Sequence, residues 1–201
     1  MRWHSSSVVD TKMTKSASEH WVASMLSRFG WAAALTRDGI ERTDILAAQT
    51  DESRRMIEVQ VKGAQDGGSG RWSKWIVNAK AQQFARTDNE WFALVLLPMK
   101  GDLSAPRTFI VPRDHLSAAT WIVHQEWLTD PEAPLGKRNT PLSYARVPAA
   151  VFEGYENRWD LLTGSAFEAP VLLGPQLRNW AQDQRIGLPP EHPWNENLPT
   201  W

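Results

Sequence analysis

The apolar run from Trp91 to Leu97 constrains the fold of this chain more than any other segment. Its sequence, WFALVLL, has the length of a β-strand and contains no polar residue. A strand with one face in water alternates polar and apolar side chains, whereas a strand that is covered on both faces does not. The run therefore predicts a strand with other elements packed on each of its two faces.

Weaker patterns on either side of this run complete the predicted architecture. Apolar residues recur at helical spacing from Ser18 to Phe29 and again in three segments after Pro112. The order is one helix, about five strands with a short helix among them, and then further helices, which predicts an α/β domain with a mixed sheet and a helical C-terminal addition. The predicted strands are Trp31–Thr36, Asp44–Gln49, Met56–Lys62, Trp72–Val77, Trp91–Leu97 and Arg107–Val111, and the later helices contain residues 78–85, 116–127, 151–162 and 177–181.

Proline content and charge divide the chain near its middle. All 13 prolines lie at or after Pro98. Residues 1–100 carry 14 basic and 11 acidic side chains, against 8 and 12 in residues 101–201, so a surface that contacts a polyanion is expected in the first half. The predicted organisation is an N-terminal segment over 1–15, an α/β core over 16–115, a helical addition over 116–187 and a proline- and tryptophan-containing tail over 188–201.

The composition excludes several classes of protein. The chain has no cysteine, which excludes a disulfide scaffold, a thiolate zinc site and a cysteine nucleophile, and which fits a cytoplasmic location. A net charge of −1 is not that of a protein that coats nucleic acid with its whole surface. No apolar run reaches membrane-spanning length and no signal-peptide pattern precedes Lys15, so no membrane partner is expected.

The strand from Met56 to Lys62 carries the clearest candidate chemistry. Side chains alternate along a strand, so Glu58, Gln60 and Lys62 share one face at intervals of about 7 Å. A carboxylate, an amide oxygen and an ammonium group in one line can hold a hard cation and a water molecule beside a phosphate, and Mg²⁺ prefers such oxygen ligands. A strand with one solvated face produces the same alternation, so the pattern alone leaves both interpretations open.

Two acidic residues outside this strand extend the candidate site. A hairpin that joins the strand of Asp44 to the Met56–Lys62 strand would bring Asp44 beside Gln60, although Asp44 also suits a turn. Glu19 lies near the start of the first helix, where Ser16 and Glu19 have the spacing of a capping box. Glu19 is therefore interpreted as structural, catalytic or both.

Tryptophan-rich segments supply candidate binding surfaces. Arg71, Trp72 and Lys74 interleave basic and aromatic residues after a glycine-rich loop, which suits contact with a DNA backbone and stacking on bases, while Trp75 suits either this loop or the core. Trp194 and Trp201 lie in the proline-rich tail, where they either fix the tail to the body or contact a partner.

Three segments together resemble the PD-(D/E)XK nuclease superfamily, which has the restriction-endonuclease-like fold. They are the helix of Glu19 (SASEHWVASMLSRFGW), Asp44 within TDILA, and EVQVK from Glu58 to Lys62. The strand pair WFALVLL and RTFIVP, and NRWDLL over 157–162, are similar to small bacterial members. The likeness covers residues 16–115 and extends more weakly to residue 163.

The resemblance implies a restriction-endonuclease-like mixed β-sheet flanked by helices, and hydrolysis of phosphodiester bonds in DNA with Mg²⁺, for which Mn²⁺ can substitute. By position, Asp44 and Gln60 would be metal ligands, Lys62 would stabilise charge, and Glu19 would be the accessory acid that holds a second metal or its water. Family members usually have an acid where Gln60 stands, although a subgroup has glutamine there. Glu58, one step along the same face, would then supply the missing charge.

Two other functions fit the same residues. One is a catalytically inactive nuclease-fold protein that binds DNA or protein, which follows from the glutamine at position 60. The other is a structural domain whose polar strand face is only solvated. A homodimer, and a protein partner that binds the C-terminal helices or the tail, are compatible with the sequence.

Overall fold

The computed structural model describes residues 11–36, 41–67, 73–134 and 136–201. These residues form a mixed α/β fold in which helices flank a mixed five-stranded sheet, as the sequence predicts. No helix in the described ranges is long and apolar enough to span a membrane. The helices and strands are α1 (Thr11–Arg28), β1 (Trp31–Leu35), β2 (Ile45–Gln49), β3 (Met56–Gln65), β4 (Lys74–Val77), β5 (Glu90–Leu97), β6 (Arg107–Pro112), α2 (Arg113–Leu128), β7 (Ala145–Pro148) and α3 (Pro175–Ala181).

The five-stranded sheet has the order β1-β2-β3-β5-β6, with β3 at its centre. Neighbouring strands are antiparallel except β3 and β5, which run parallel and are joined by the segment that contains β4. The side chains from Trp91 to Leu96 are all at most 1% exposed. The prediction of a strand covered on both faces is therefore confirmed.

Helix α1 packs closely on one face of β3, at Gly63. A Cβ atom at this glycine would overlap Ser18 Oγ and would lie 3.0 Å from Ser18 Cβ and 3.1 Å from the Thr14 carbonyl oxygen. Ser18 is fully buried and donates a hydrogen bond to that carbonyl. Glycine is favoured at position 63 because the Ser18 side chain and the helix backbone lie so near the strand.

The start of α1 differs from the prediction. The helix begins at Thr11 rather than Ser18, so it takes in the end of the predicted N-terminal segment. Ser16 therefore lies inside the helix, where its carbonyl oxygen is hydrogen-bonded to the ring of His20. The capping-box interpretation of Ser16 and Glu19 was wrong, because a capping residue must lie at the helix start.

Strands β4 and β7 form a second, two-stranded antiparallel sheet. Lys74 pairs with Pro148, and Trp75, on the inner face, donates its indole N–H to the Val95 carbonyl oxygen at 3.1 Å. Trp75 is therefore a core residue. The small sheet joins two parts of the chain that the sequence assigned to separate regions, the α/β core and the C-terminal addition, and the proposed boundary between residues 115 and 116 falls inside α2.

The predicted helix over 78–85 was wrong, because residues 79–82 form turns and no helix follows. The Asn78 side chain does accept from the Ala81 N–H, as a cap would. However, the Ala85 N–H donates to the Asp114 carboxylate, and the Gln82 carbonyl oxygen accepts from the Ser117 hydroxyl group. Tertiary partners thus take the polar groups that a helix would need, and propensity is overridden.

The predicted helix over 151–162 was also wrong, and two 3₁₀ segments, Ala149–Tyr155 and Trp159–Thr163, stand in its place. Asn157 between them has φ of +56°, which ends the first segment. At Gly154 the chain approaches Leu172 so closely that a Cβ atom would overlap the Leu172 carbonyl oxygen. The apolar residues are buried as the pattern indicated, but the backbone follows its neighbours rather than an α-helix.

The tail is fixed to the body through aromatic contacts. His192 lies 1% exposed, hydrogen-bonded through Nε2 to the Asp114 carbonyl oxygen at 3.1 Å. Trp194 contacts the rings of His192, His115 and Trp201. Burial lowers the pKa of His115 to about 3 and that of His192 to about 4, so both rings are neutral at pH 7.

Candidate active site

Asp44 stands at the entrance to β2, directly beside the polar face of β3. Ile45 pairs with Val59, so Asp44 lies opposite Gln60 in the antiparallel register. The Asp44 N–H donates to the Val59 carbonyl oxygen at 3.0 Å, and the Val61 N–H donates to Asp44 Oδ2 at 2.8 Å. The hairpin geometry considered from the sequence is therefore present, and the Asp44 carboxylate is held by β3 itself.

Helix α1 brings two charged side chains to the same place. Lys15 Nζ lies 3.5 Å from Glu19 Oε1 and 3.7 Å from Asp44 Oδ1. The Lys15 side chain is 53% exposed, whereas the Glu19 and Asp44 side chains are 17% and 18% exposed. We call the group Lys15, Glu19, Asp44 and Lys62 the acidic corner.

The pKa of Glu19 shows that its carboxylate is crowded. Burial raises this pKa above its ordinary value, Lys15 lowers it, and the neighbouring Asp44 carboxylate raises it again, with a net increase. Two carboxylates that share one small site hold protons more tightly than a single one does, because each disfavours the charge of the other. A cation is the natural partner for such a pair, and the Lys15 ammonium group occupies that position.

Lys62 is the fourth member of the acidic corner. Burial lowers the pKa of this lysine, while the Asp44 carboxylate raises it and the Arg113 and Lys15 charges lower it, with a net decrease. A lysine with a lowered pKa loses or transfers a proton more readily than an exposed one. The structure thus brings together Glu19, Asp44 and Lys62 from α1, the start of β2 and β3.

Gln60 and Glu58 lie on the same strand face but have protein partners. Gln60 Oε1 accepts a hydrogen bond from Arg113 Nη2 at 3.0 Å, and Glu58 Oε2 accepts one from Thr43 Oγ1 at 2.7 Å. An amide oxygen has a second lone pair, so the Arg113 contact occupies only part of the Gln60 acceptor capacity.

Arg113 belongs to a buried ionic group that sequence reasoning did not identify. Its Nε lies 2.8 Å from Glu90 Oε2, and Arg42 Nη2 lies 2.7 Å from the same oxygen. The Arg113 guanidinium also stacks on the Phe92 ring, with its carbon 4.5 Å from the centroid. We call Glu90, Arg42 and Arg113 the arginine cluster.

Burial and charge balance each other in the arginine cluster. Burial lowers the pKa of Arg113 to about 10, which still leaves it charged at pH 7. Burial raises the pKa of Glu90, but the Arg86 N–H and the two guanidinium groups outweigh this effect, so its pKa lies below the ordinary value. The sequence signal for this cluster was a charged residue at one end of each of two apolar strands. Because Trp91 pairs with Pro112, Glu90 before Trp91 and Arg113 after Pro112 lie at the same end of the sheet.

Of the three predicted DNA-binding residues, the structure describes only Lys74. Arg71 and Trp72 lie outside the described residues. Lys74 begins β4 and lines a cleft together with Arg146 and Tyr144.

The donor atoms of the acidic corner fit a magnesium ion in part. Mg²⁺ takes one or two carboxylates from a protein and keeps several water molecules, which Glu19 and Asp44 match. Within the described residues, no group of three or more acidic, histidine or cysteine side chains lies close enough to hold a metal ion. Among the described residues, the acidic corner thus offers two carboxylates and no third acidic, histidine or cysteine ligand.

Comparison of the chain with protein-family models, with curated proteins and with solved structures gave no match in any of the three cases.

Proposed function

We propose that this protein is a metal-dependent endonuclease that hydrolyses phosphodiester bonds in DNA, on a variant of the restriction-endonuclease-like fold. The observation that carries the proposal is the convergence of Glu19, Asp44 and Lys62, which come from three separate elements. Two crowded carboxylates next to a lysine of lowered pKa are more than the solvated face of a strand requires. The antiparallel β1-β2-β3 order and the parallel β3-β5 pair support the fold assignment.

Glu19 and Asp44 would hold Mg²⁺, or Mn²⁺ in its place, with the Lys15 ammonium group displaced. The Lys15 side chain is half exposed, so its ammonium group can leave the carboxylates at a small cost in free energy. The bound ion would lower the pKa of a water molecule and polarise the phosphate. Gln60 and Glu58 remain candidate further ligands, each beside its present partner, Arg113 or Thr43.

Lys62 would act on the phosphate or on the attacking water. Its ammonium group can stabilise the negative charge that develops on the phosphate oxygens, and its lowered pKa suits a group that orients water and passes a proton. The Asp44 carboxylate, which accepts a hydrogen bond from the Val61 N–H, attracts this amino group electrostatically.

Cleavage of supercoiled plasmid DNA tests the proposal. Asp44→Asn removes the charge but keeps an oxygen that accepts from the Val61 N–H, and Lys62→Gln removes the amino group. We expect wild type to nick plasmid with Mg²⁺ or Mn²⁺ and not in EDTA, and each variant to be slower by about 10²-fold or more. The exposed residues Asp102 and Lys80, changed in the same ways, are the matched controls. Equal cleavage by wild type and both variants would refute the assignment.

A catalytically inactive nuclease-fold protein that binds DNA or protein is the second candidate. It is favoured by the Arg113 contact that occupies Gln60 and by the Lys15 ammonium group that already neutralises Glu19 and Asp44. Titration calorimetry with Mn²⁺ separates the two candidates. Absence of Mn²⁺ binding in a protein that still binds DNA would favour the inactive protein. The cytoplasmic location, the homodimer, the protein partner of the C-terminal region and the DNA contacts of Arg71 and Trp72 stay predictions.

A further inference from the structure

A cleft of about 580 Å³ lies between the last turns of α2 and the outer face of the β4–β7 sheet. Its volume is within the range of small-molecule sites, about 300–1,000 Å³. The acidic corner contributes no residue to it. The lining residues that the following argument uses are Lys74, Glu126, Trp127, Thr140, Tyr144 and Arg146.

The alternation of the small sheet determines which side chains reach this cleft. Trp75 and Val147 pair on the inner face and are buried in the core. The neighbouring residues of each strand point the other way, so Lys74 and Arg146 lie on the outer face. Both cations are thus on rigid strands that flank the cleft.

Exposed aromatic rings accompany these cations. Tyr144 is 62% exposed and directly precedes β7, and Trp127 is 37% exposed in the last turn of α2. The indole ring of Trp127 is held in place by the Arg138 guanidinium, whose carbon lies 5.5 Å from the ring centroid. Large aromatic side chains are usually buried in a folded chain, so two partly exposed rings in one cleft call for a ligand with an apolar, flat surface.

We propose that this cleft binds an unpaired stretch of a nucleic-acid strand, with a base stacked on Tyr144 and the adjoining phosphates held by Lys74 and Arg146. Aromatic rings next to cations are the combination that binds single strands with little sequence preference. Glu126 and Thr140 offer polar groups to the edge of the base. The inference rests on the proposed function for the choice of nucleic acid as ligand, and it adds that the protein engages unpaired DNA at a second site, separate from the acidic corner.

Fluorescence anisotropy with labelled oligo(dT) of about 12 nucleotides, in EDTA so that no cleavage occurs, tests this inference. We expect Tyr144→Ala to weaken binding by about 5- to 160-fold, the range for loss of one stacked base. Arg146→Glu should weaken binding and reduce its dependence on salt concentration, because a phosphate contact is lost. Phe167→Ala, which removes an equally exposed aromatic ring outside the cleft, and Lys100→Glu, which makes the same charge reversal elsewhere, should change neither property.

An abasic oligonucleotide of the same length separates stacking from phosphate contact. Wild type should prefer oligo(dT) to the abasic strand, and Tyr144→Ala should lose that preference. Undetectable binding of oligo(dT) by wild type, or unchanged binding by Tyr144→Ala, would overturn the inference. Plasmid cleavage is measured separately: a protein that binds oligo(dT) through Tyr144 but cleaves nothing would contradict the proposed function and leave the cleft assignment standing.

Discussion

The acidic corner and the arginine cluster both combine carboxylates with cationic side chains, yet they are built in opposite ways. In the arginine cluster the side chains of Arg113, Glu90 and Arg42 are 1%, 6% and 7% exposed, and their ion pairs are 2.7 and 2.8 Å long. In the acidic corner the compensating cation, Lys15, is half exposed and lies 3.5 to 3.7 Å from the carboxylates. The first arrangement holds its charges permanently, whereas the second can exchange its cation for another.

The largest loss of unfolding free energy should follow when the shared carboxylate of the arginine cluster, Glu90, is removed. Glu90→Gln removes the carboxylate that both buried guanidinium groups share, and we expect a loss of about 3–5 kcal/mol of unfolding free energy. Urea denaturation at pH 7 measures it. Glu156→Gln is the control, because Glu156 pairs with Arg107 in equally short contacts at a partly exposed site and should cost about 1 kcal/mol or less.

The pH dependence of stability gives a second measure of the same substitution. The pKa of Glu90 in the folded protein lies below its ordinary value, so the carboxylate stabilises the fold above the unfolded-state pKa and loses this effect as the pH falls through the acidic range. The stability of Glu90→Gln should therefore fall less steeply with acid than that of wild type. Equal slopes, together with a loss no larger than that of Glu156→Gln, would show that the cluster is not a permanent charge group.

A smaller loss of unfolding free energy is expected at the contact between α1 and β3, which positions Lys15 and Glu19 of the acidic corner. Gly63→Ala would place a methyl group against Ser18 on α1, and overpacking of this kind costs about 1–3 kcal/mol. Because α1 also carries Lys15 and Glu19, the variant should weaken Mn²⁺ binding as well. Gly174→Ala is the control, since nothing lies within 4 Å of the added carbon and the backbone there is extended. Denaturation curves and Mn²⁺ titrations that match between the two variants would contradict the close packing.

The smallest effect on stability should come from the exchangeable cation. Lys15→Gln removes an exposed ion pair, so unfolding free energy should change by about 1 kcal/mol or less. The same substitution leaves Glu19 and Asp44 with no ammonium group between them, and Mn²⁺ should bind several times more tightly. Calorimetry of wild type and Lys15→Gln, with Lys12→Gln as a control on the same helix, measures this difference.

As the pH falls, Mn²⁺ binding should weaken at a higher pH than it would at a glutamate with an ordinary pKa. A proton and the metal ion compete for Glu19, and its raised pKa favours the proton at a higher pH. Glu19→Gln should remove this part of the pH dependence. Unchanged affinity in Lys15→Gln and an unaltered pH profile in Glu19→Gln would indicate that the acidic corner does not bind cations.

Local patterns predicted the sheet and three members of the acidic corner, Glu19, Asp44 and Lys62. They did not predict Lys15, or the surroundings of the sheet and of the acidic corner. Alternation and register are local, so the strand of Lys62 and the position of Asp44 opposite Gln60 followed from spacing. The hydrogen-bond partner of Gln60 could not be inferred in this way, because Arg113 lies 53 positions later in the chain and contacts Gln60 across β5. The two failed helices have the same origin, since contacts such as Ala85 with Asp114 and Gly154 with Leu172 depend on the assembled fold.

The pairing of β4 with β7 has a consequence for how this protein is made on the ribosome. Ser73 also accepts a hydrogen bond from the Ala149 N–H, so β4 finds all of its strand pairing about 70 residues later in the chain. All strands of the five-stranded sheet are therefore synthesised before β7, so β4 lacks its partner in the folded structure until translation has reached β7.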